Sequence, residues 1–90
     1  MAHTSSGKHN NNPVTVEFSD HALQQMQARG ISEQEVLDCI SSPSQRGLRA
    51  NRPDRTRYRR YLGMSGKYVD VVFKKSPPDT IIVVTAMDGP

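Results

Sequence analysis

The segment RANRPDRTRYRRY, residues 49–61, gathers the side chains best suited to chemistry. Arg49, Arg52, Arg55, Arg57, Arg59 and Arg60 surround one acid, Asp54, and are interleaved with Tyr58 and Tyr61. Guanidinium groups bind phosphate through paired, charge-assisted hydrogen bonds, and aromatic rings set between them can stack on exposed bases. Arg46 upstream, and Lys67 and Lys74 downstream, extend the same character, so these residues are candidate contacts to a nucleic-acid backbone. The competing reading is a solvated edge strand, because charged side chains keep a sheet edge from pairing with other chains. Side chains alternate along a strand. If Tyr58 and Leu62 join Arg60 on the core side, Arg57, Arg59 and Tyr61 share the open face, and the opposite assignment is nearly as acceptable.

His21 is the one histidine inside the segment expected to fold. It falls at the second position of a predicted helix, where the positive end of the helix dipole favours a neutral imidazole, the form a general base requires. The helical wheel also sets it opposite the apolar stripe, so an exposed surface residue is the plain alternative. Tyr58, Tyr61, Tyr68 and Thr85 could each hold a phosphate oxygen, and each is equally an ordinary strand residue. Cys39, the single cysteine, lies near Glu35 and Asp38, which do not favour a thiolate. No Cys/His spacing suits zinc, and no Walker loop, zincin helix or dinucleotide fingerprint is present, so neither metal nor cofactor is implied.

Charge is unevenly placed. Residues 13–44 carry five acids against Arg29, a net −4, whereas residues 45–75 carry ten cations against Asp54 and Asp70, a net +8. Such asymmetry points to a polyanion on the basic half. A chain of 90 residues buries only about 60–65% of the surface its unfolded form exposes, so a site on an open face or shallow groove is expected. With one cysteine and no apolar run of membrane length, the sequence reads as a soluble, cytoplasmic protein.

The elements that must position these residues follow from local signals. MAHTSSGKHNNN has no large apolar residue after Met1 and reads as a disordered leader over 1–12, in part an expression scar, with a single domain over 13–90. Alternation in VTVEF predicts a short strand at 14–18. Ser19 is a predicted N-cap, with a helix over 20–29 and Gly30 as its C-cap. Ser32 and Glu35 form a predicted capping box, with Ile31 and Val36 as a hydrophobic staple, for a helix from Glu33 to about residue 40 or 41 ended by Pro43. Residues 43–56 read as a long loop. Strands are predicted at 57–62, at 68–74, where Tyr68, Asp70, Val72 and Lys74 share one face, and at 80–87, apolar on both faces and therefore central. The predicted fold is α+β: a helical hairpin on a three- to four-stranded antiparallel sheet.

The order of these signals resembles the bacterial family called domain of unknown function 4258. The likeness rests on Phe18, His21, Ala22, Met26, Arg29, Gly30, Ile31, Ser32 and Pro43, and on RYRRYL, KYVDVVFK and DTIIVVTAMD, over about residues 16–88. That family is similar in turn to RelE/ParE-type ribonuclease toxins. The resemblance implies a RelE-like domain and a metal-independent endoribonuclease that cleaves RNA by 2′-hydroxyl attack, with His21, Arg57, Tyr58 and Thr85 as catalytic candidates. It also implies RNA as partner, with an acidic antitoxin or immunity protein covering the basic loop. The alternative is a non-catalytic nucleic-acid or acidic-protein binding module using the same arginine face.

Overall fold

The computed structural model describes residues 3–50 and 52–89. The chain runs β1 (His3–His9), β2 (Asn12–Phe18), α1 (Asp20–Arg29), α2 (Glu33–Ser41), β3 (Gln45–Leu48), β4 (Thr56–Leu62), β5 (Lys67–Ser76) and β6 (Thr80–Gly89). The strands form one sheet in the order β1-β2-β6-β5-β4-β3. All pairs are antiparallel except β2 with β6, which is parallel from Thr15 opposite Thr80 to Phe18 opposite Val83.

This corrects the expected three- to four-stranded antiparallel sheet beneath a helical hairpin: the sheet has six strands and is mixed. Two strands escaped the sequence reading because they lack hydrophobic periodicity. β1, HTSSGKH, falls in the stretch expected to be a disordered leader. It is set by turn chemistry: Asn10 and Asn11 both take left-handed backbone angles (φ 52° and 66°), and His9 pairs with Asn12 across a two-residue hairpin loop. Such a loop needs positive φ at both positions, which Asn tolerates better than other side-chain-bearing residues. β3, QRGL, lies in the expected 43–56 loop; it pairs with β4 through a register shift at Gly47, whose φ of 69° suits glycine.

The helices do not pack as a hairpin on one another: α1 lies against β6, and α2 against β1, β4 and β5. Their ends follow the local code. Ser19 Oγ accepts from Ala22 N at 3.1 Å. Ser32 Oγ accepts from Glu35 N at 3.1 Å while Glu35 Oε1 accepts from Ser32 N at 2.8 Å, which completes the capping box. Between helices and sheet lies the core of Val16, Phe18, Ala22, Met26, Val36, Ile40, Val71, Phe73, Ile81 and Val83. Cys39 sits inside it, fully buried, with its thiol directed to the carbonyls of Tyr58 and Val69. Among the described residues no helix is long and apolar enough to cross a membrane.

Candidate functional site

β4 delivers its side chains to both faces of the sheet. Tyr58 is buried on the helix side, opposite Val71, which leaves Arg57, Arg59 and Tyr61 on the face that carries no helix. β5 supplies the neighbours of that open face: Arg57 stands opposite Val72, Arg59 opposite Asp70, and Tyr61 opposite Tyr68. β6 adds Thr85 opposite Val72 and Met87 opposite Asp70. Alternation from the buried Ile81 and Val83 sets Val84 on the open face and would turn Thr85 to the core. The register shift between Val72, paired with Thr85, and Phe73, paired with Val83, leaves Val84 extra, and this bulge lets both Val84 and Thr85 line the open face.

A groove of about 420 Å³ results, lined by Arg49, Ala50, Arg52, Arg55, Arg57, Val72, Val84, Thr85 and Met87. Its floor is the apolar part of β5 and β6. Its rim is the segment after β3, which folds back over the sheet, where Arg57 Nη1 donates to the carbonyl of Arg49 at 3.2 Å. Asp54 pairs with Arg55 at 2.6 Å and is itself largely exposed. Four guanidinium groups around an apolar floor can hold the phosphate of a ligand at the rim and its flat, less polar part below.

The charge at the back of the groove is organised by Asp70, which is only 1% exposed. Arg59 Nε donates to Asp70 Oδ1 at 2.6 Å and Arg59 Nη2 to Oδ2 at 3.0 Å. Arg57 donates to Oδ2 from Nε at 3.0 Å and also from Nη2. Burial alone would raise the Asp70 carboxyl; the hydrogen bonds and charges of Arg59 and Arg57 outweigh it and hold the group below its ordinary value. The same carboxylate raises Arg59 above the ordinary arginine range. The Arg59 guanidinium lies 3.8 Å from the centroid of the Tyr68 ring, which clamps it from the other side. Two arginines sharing one carboxylate retain a net charge of about +1 in fixed positions, ready for an incoming anion.

The candidate residues thus divide. Arg49, Arg52, Arg55, Arg57 and Thr85 meet at the groove, with Arg59 beside it. Lys74 shares the open face by alternation with Asp70 and Val72, while Lys67 is exposed at the start of β5. Arg46 and Arg60 point elsewhere: Arg46 Nη1 donates to Asn10 Oδ1 at 2.7 Å, and Arg60 Nη1 to the carbonyl of Ser42 at 2.7 Å. Tyr58, 6% exposed, is on the helix side of the sheet, where its hydroxyl meets His9 Nε2 at 2.8 Å. His21 is exposed on α1 and does not line the groove. Of the four catalytic candidates, the fold brings Arg57 and Thr85 together and leaves His21 and Tyr58 outside the groove.

Sequence reasoning missed Asp70 as the partner of the arginines, although the alternation of residues 68–74 already set it on the face of Tyr68 and Val72. His9 falls within the stretch expected to be a leader, and no local signal marks it. Among the described residues no group of three or more His, Cys, Asp or Glu side chains is arranged to hold a metal ion. Neither the curated proteins nor the solved structures contain a match to the chain. The groove residues, Arg49 to Met87, lie within residues 18–88, which match the family model described as Domain of unknown function (DUF4258), and the chain belongs to that family.

Proposed function

We propose that this protein binds single-stranded RNA across the open face of its sheet, with the backbone phosphates on Arg49, Arg52, Arg55 and Arg57 and a base against Val72, Val84 and Met87. The observation that carries the reading is the groove itself: four arginines from one segment ring an apolar floor of nucleotide-compatible volume, about 420 Å³. The fixed pair of Arg57 and Arg59 on Asp70 supports it, since prepositioned guanidiniums bind phosphate without a further ordering cost. Tyr61, exposed at the sheet surface beside Tyr68, offers a ring for the next base.

The toxin-like ribonuclease activity implied by the likeness to RelE/ParE-type proteins asks for more. Attack by a 2′-hydroxyl on the adjacent phosphate needs a base and a leaving-group acid within hydrogen-bonding reach, as well as cations for the developing charge. The described groove lining supplies the cations and the Thr85 hydroxyl, with no histidine, carboxylate or tyrosine. Binding is therefore the function this geometry supports best.

The test is fluorescence anisotropy of a labelled single-stranded RNA over a salt series, with wild type and an Arg49→Ala/Arg52→Ala/Arg55→Ala variant. Each phosphate contact contributes about 0.7 to the slope of log affinity against log salt on a single strand, so three lost contacts lower it by about 2. At about 1 kcal/mol per contact, affinity falls roughly 100-fold. Equal affinity and slope in both proteins refute the groove as the binding surface. Running the same RNA on a gel in EDTA reads cleavage directly, and 2′,3′-cyclic phosphate ends lost in the variant would establish the nuclease instead. Binding to an acidic protein but not to RNA at low salt would convert the site to a protein interface.

A further inference from the structure

A second cluster of chemistry-bearing side chains lies apart from the arginine groove, where the β1-β2 hairpin meets the turn between β5 and β6. A cleft of about 160 Å³ is lined there by His9, Val14, Lys75, Ser76, Pro77, Pro78, Asp79, Thr80 and Ile81. His9 is the only buried side chain of β1, a strand with no apolar residue, and its ring is fixed on two sides. Its Nε2 is 2.8 Å from Tyr58 Oη, and the ring stacks on Tyr58 and meets Phe73 edge-on, each centroid 5.7 Å away.

Tyr58 engages one ring nitrogen and leaves Nδ1 available. Around the imidazole stand Lys75 from β5 and Arg46 from β3, with Tyr58 from β4 and Asp79 from the β5–β6 turn as the other titratable neighbours. Burial first, then the charges of Lys75 and Arg46, lower His9 from its ordinary value. Arg46 is tied to Asn10 Oδ1 and lies over the Tyr58 ring. Lys75 is exposed and, among the described residues, makes no ion pair, and Asp79 is the one acid of the cleft. Positive charge on two sides of a histidine, set against the single carboxylate of Asp79, leaves a net positive charge of about +1 that a small anion relieves.

We propose that this cleft is a binding site for a phosphate group, contacted by the His9 imidazole and the Lys75 ammonium. Its volume suits a phosphate and not a whole nucleotide. His9 and Val14 come from the hairpin, outside the segment matched by the family model, while the other residues lie within it. The site therefore joins the β1-β2 hairpin to the segment matched by the family model. It is independent of the RNA reading of the groove. The shared ligand chemistry is a phosphate dianion, either free or as the 5′-terminal phosphate of a nucleotide.

The experiment follows the His9 ring protons of the full chain by NMR while inorganic phosphate, and separately a nucleoside 5′-monophosphate, is added at constant ionic strength. Saturable shifts are expected, together with a rise of about one unit in the apparent pKa of His9, because a bound dianion favours the charged imidazole. Lys75→Ala, a change at an exposed residue, should weaken the response about tenfold. The Arg49→Ala/Arg52→Ala/Arg55→Ala variant should keep it in full, which separates this cleft from the groove. Saturation by inorganic phosphate alone identifies free anion as the ligand, and tighter saturation by the monophosphate identifies a phosphorylated terminus. No saturable shift up to about 50 mM of either, a shift matched by chloride, or an unaltered response in Lys75→Ala overturns the proposal.

Discussion

Asp70→Asn tests the charge arrangement on which the groove rests. The substitution preserves shape and removes the one negative charge shared by Arg57 and Arg59. Removing one partner from a buried ion pair costs about 3–5 kcal/mol, because the remaining charge is left uncompensated. Here the arginine side chains keep 28% and 20% of their exposure, so water recovers part of the loss. The expected destabilisation is about 2–3 kcal/mol. With a urea dependence of about 1 kcal/mol per molar for a domain of this size, the unfolding midpoint falls by about 2 M. A companion variant, Arg57→Gln/Arg59→Gln/Asp70→Asn, carries no orphaned charge and should regain much of the loss, a non-additivity that separates electrostatics from packing. The pH dependence has a defined sign. The folded carboxyl is held below its ordinary value, so its contribution is complete above about pH 4 and is lost as pH falls through the folded value. A midpoint shift below about 0.5 M in Asp70→Asn, with an unchanged slope, would refute the reasoning that this carboxylate organises the arginines.

Two further expectations concern the helix side of the sheet. His9 is lowered from its ordinary value, chiefly by burial and then by Lys75 and Arg46, so the unfolded chain binds its proton first. Its contribution to stability is complete above about pH 6.5 and declines as pH falls below it; thermal unfolding from pH 7.5 to 5 should show this decline in wild type and a flatter profile in His9→Gln, and parallel profiles would contradict it. Cys39 is fully buried, and burial pushes its thiol up to about 12. It should resist a thiol reagent at pH 8 in the native protein and react at once in 6 M urea; rapid native labelling would show that the core opens around it.

How far the sequence carried depended on whether a signal was local. The helix boundaries were legible because Ser19, Ser32, Glu35 and Gly30 act within four residues of themselves. The inner position of β6 was legible because Ile81 to Val84 are apolar on both faces. β1 and β3 were not, since neither buries an apolar stripe: β1 is held by backbone pairing to β2, by His9, and by bonds from His3 and Ser5 to Glu33 in α2. The parallel pairing of β2 with β6 joins residues more than 60 positions apart, a distance at which composition is silent. The arginines of the site were visible as a run. Which of them converge was not, because that depends on where Arg49, Arg52 and Arg55 lie over the sheet.

The parity of β4 decides what the arginine strand can do. Because side chains alternate, a slip of one residue would exchange its two faces. Arg57 and Arg59 would then enter the space of Tyr58, against Phe73 and His9, and two guanidiniums would lose their carboxylate. The native register has the opposite economy: Tyr58 fills the core and finds His9 for its hydroxyl, Arg60 reaches the carbonyl of Ser42, and Arg59 lands directly across from Asp70. Each of the three partners comes from a different element, β1, the end of α2 and β5, so the assignment of faces is enforced from three sides. The bulge in β6 then sets Thr85 on the same face as Val84 and completes the floor beneath the arginines. The basic face is thus held in place by the same pairings that build the core, and a change that loosens Tyr58 or Asp70 should disturb the groove before it abolishes the fold.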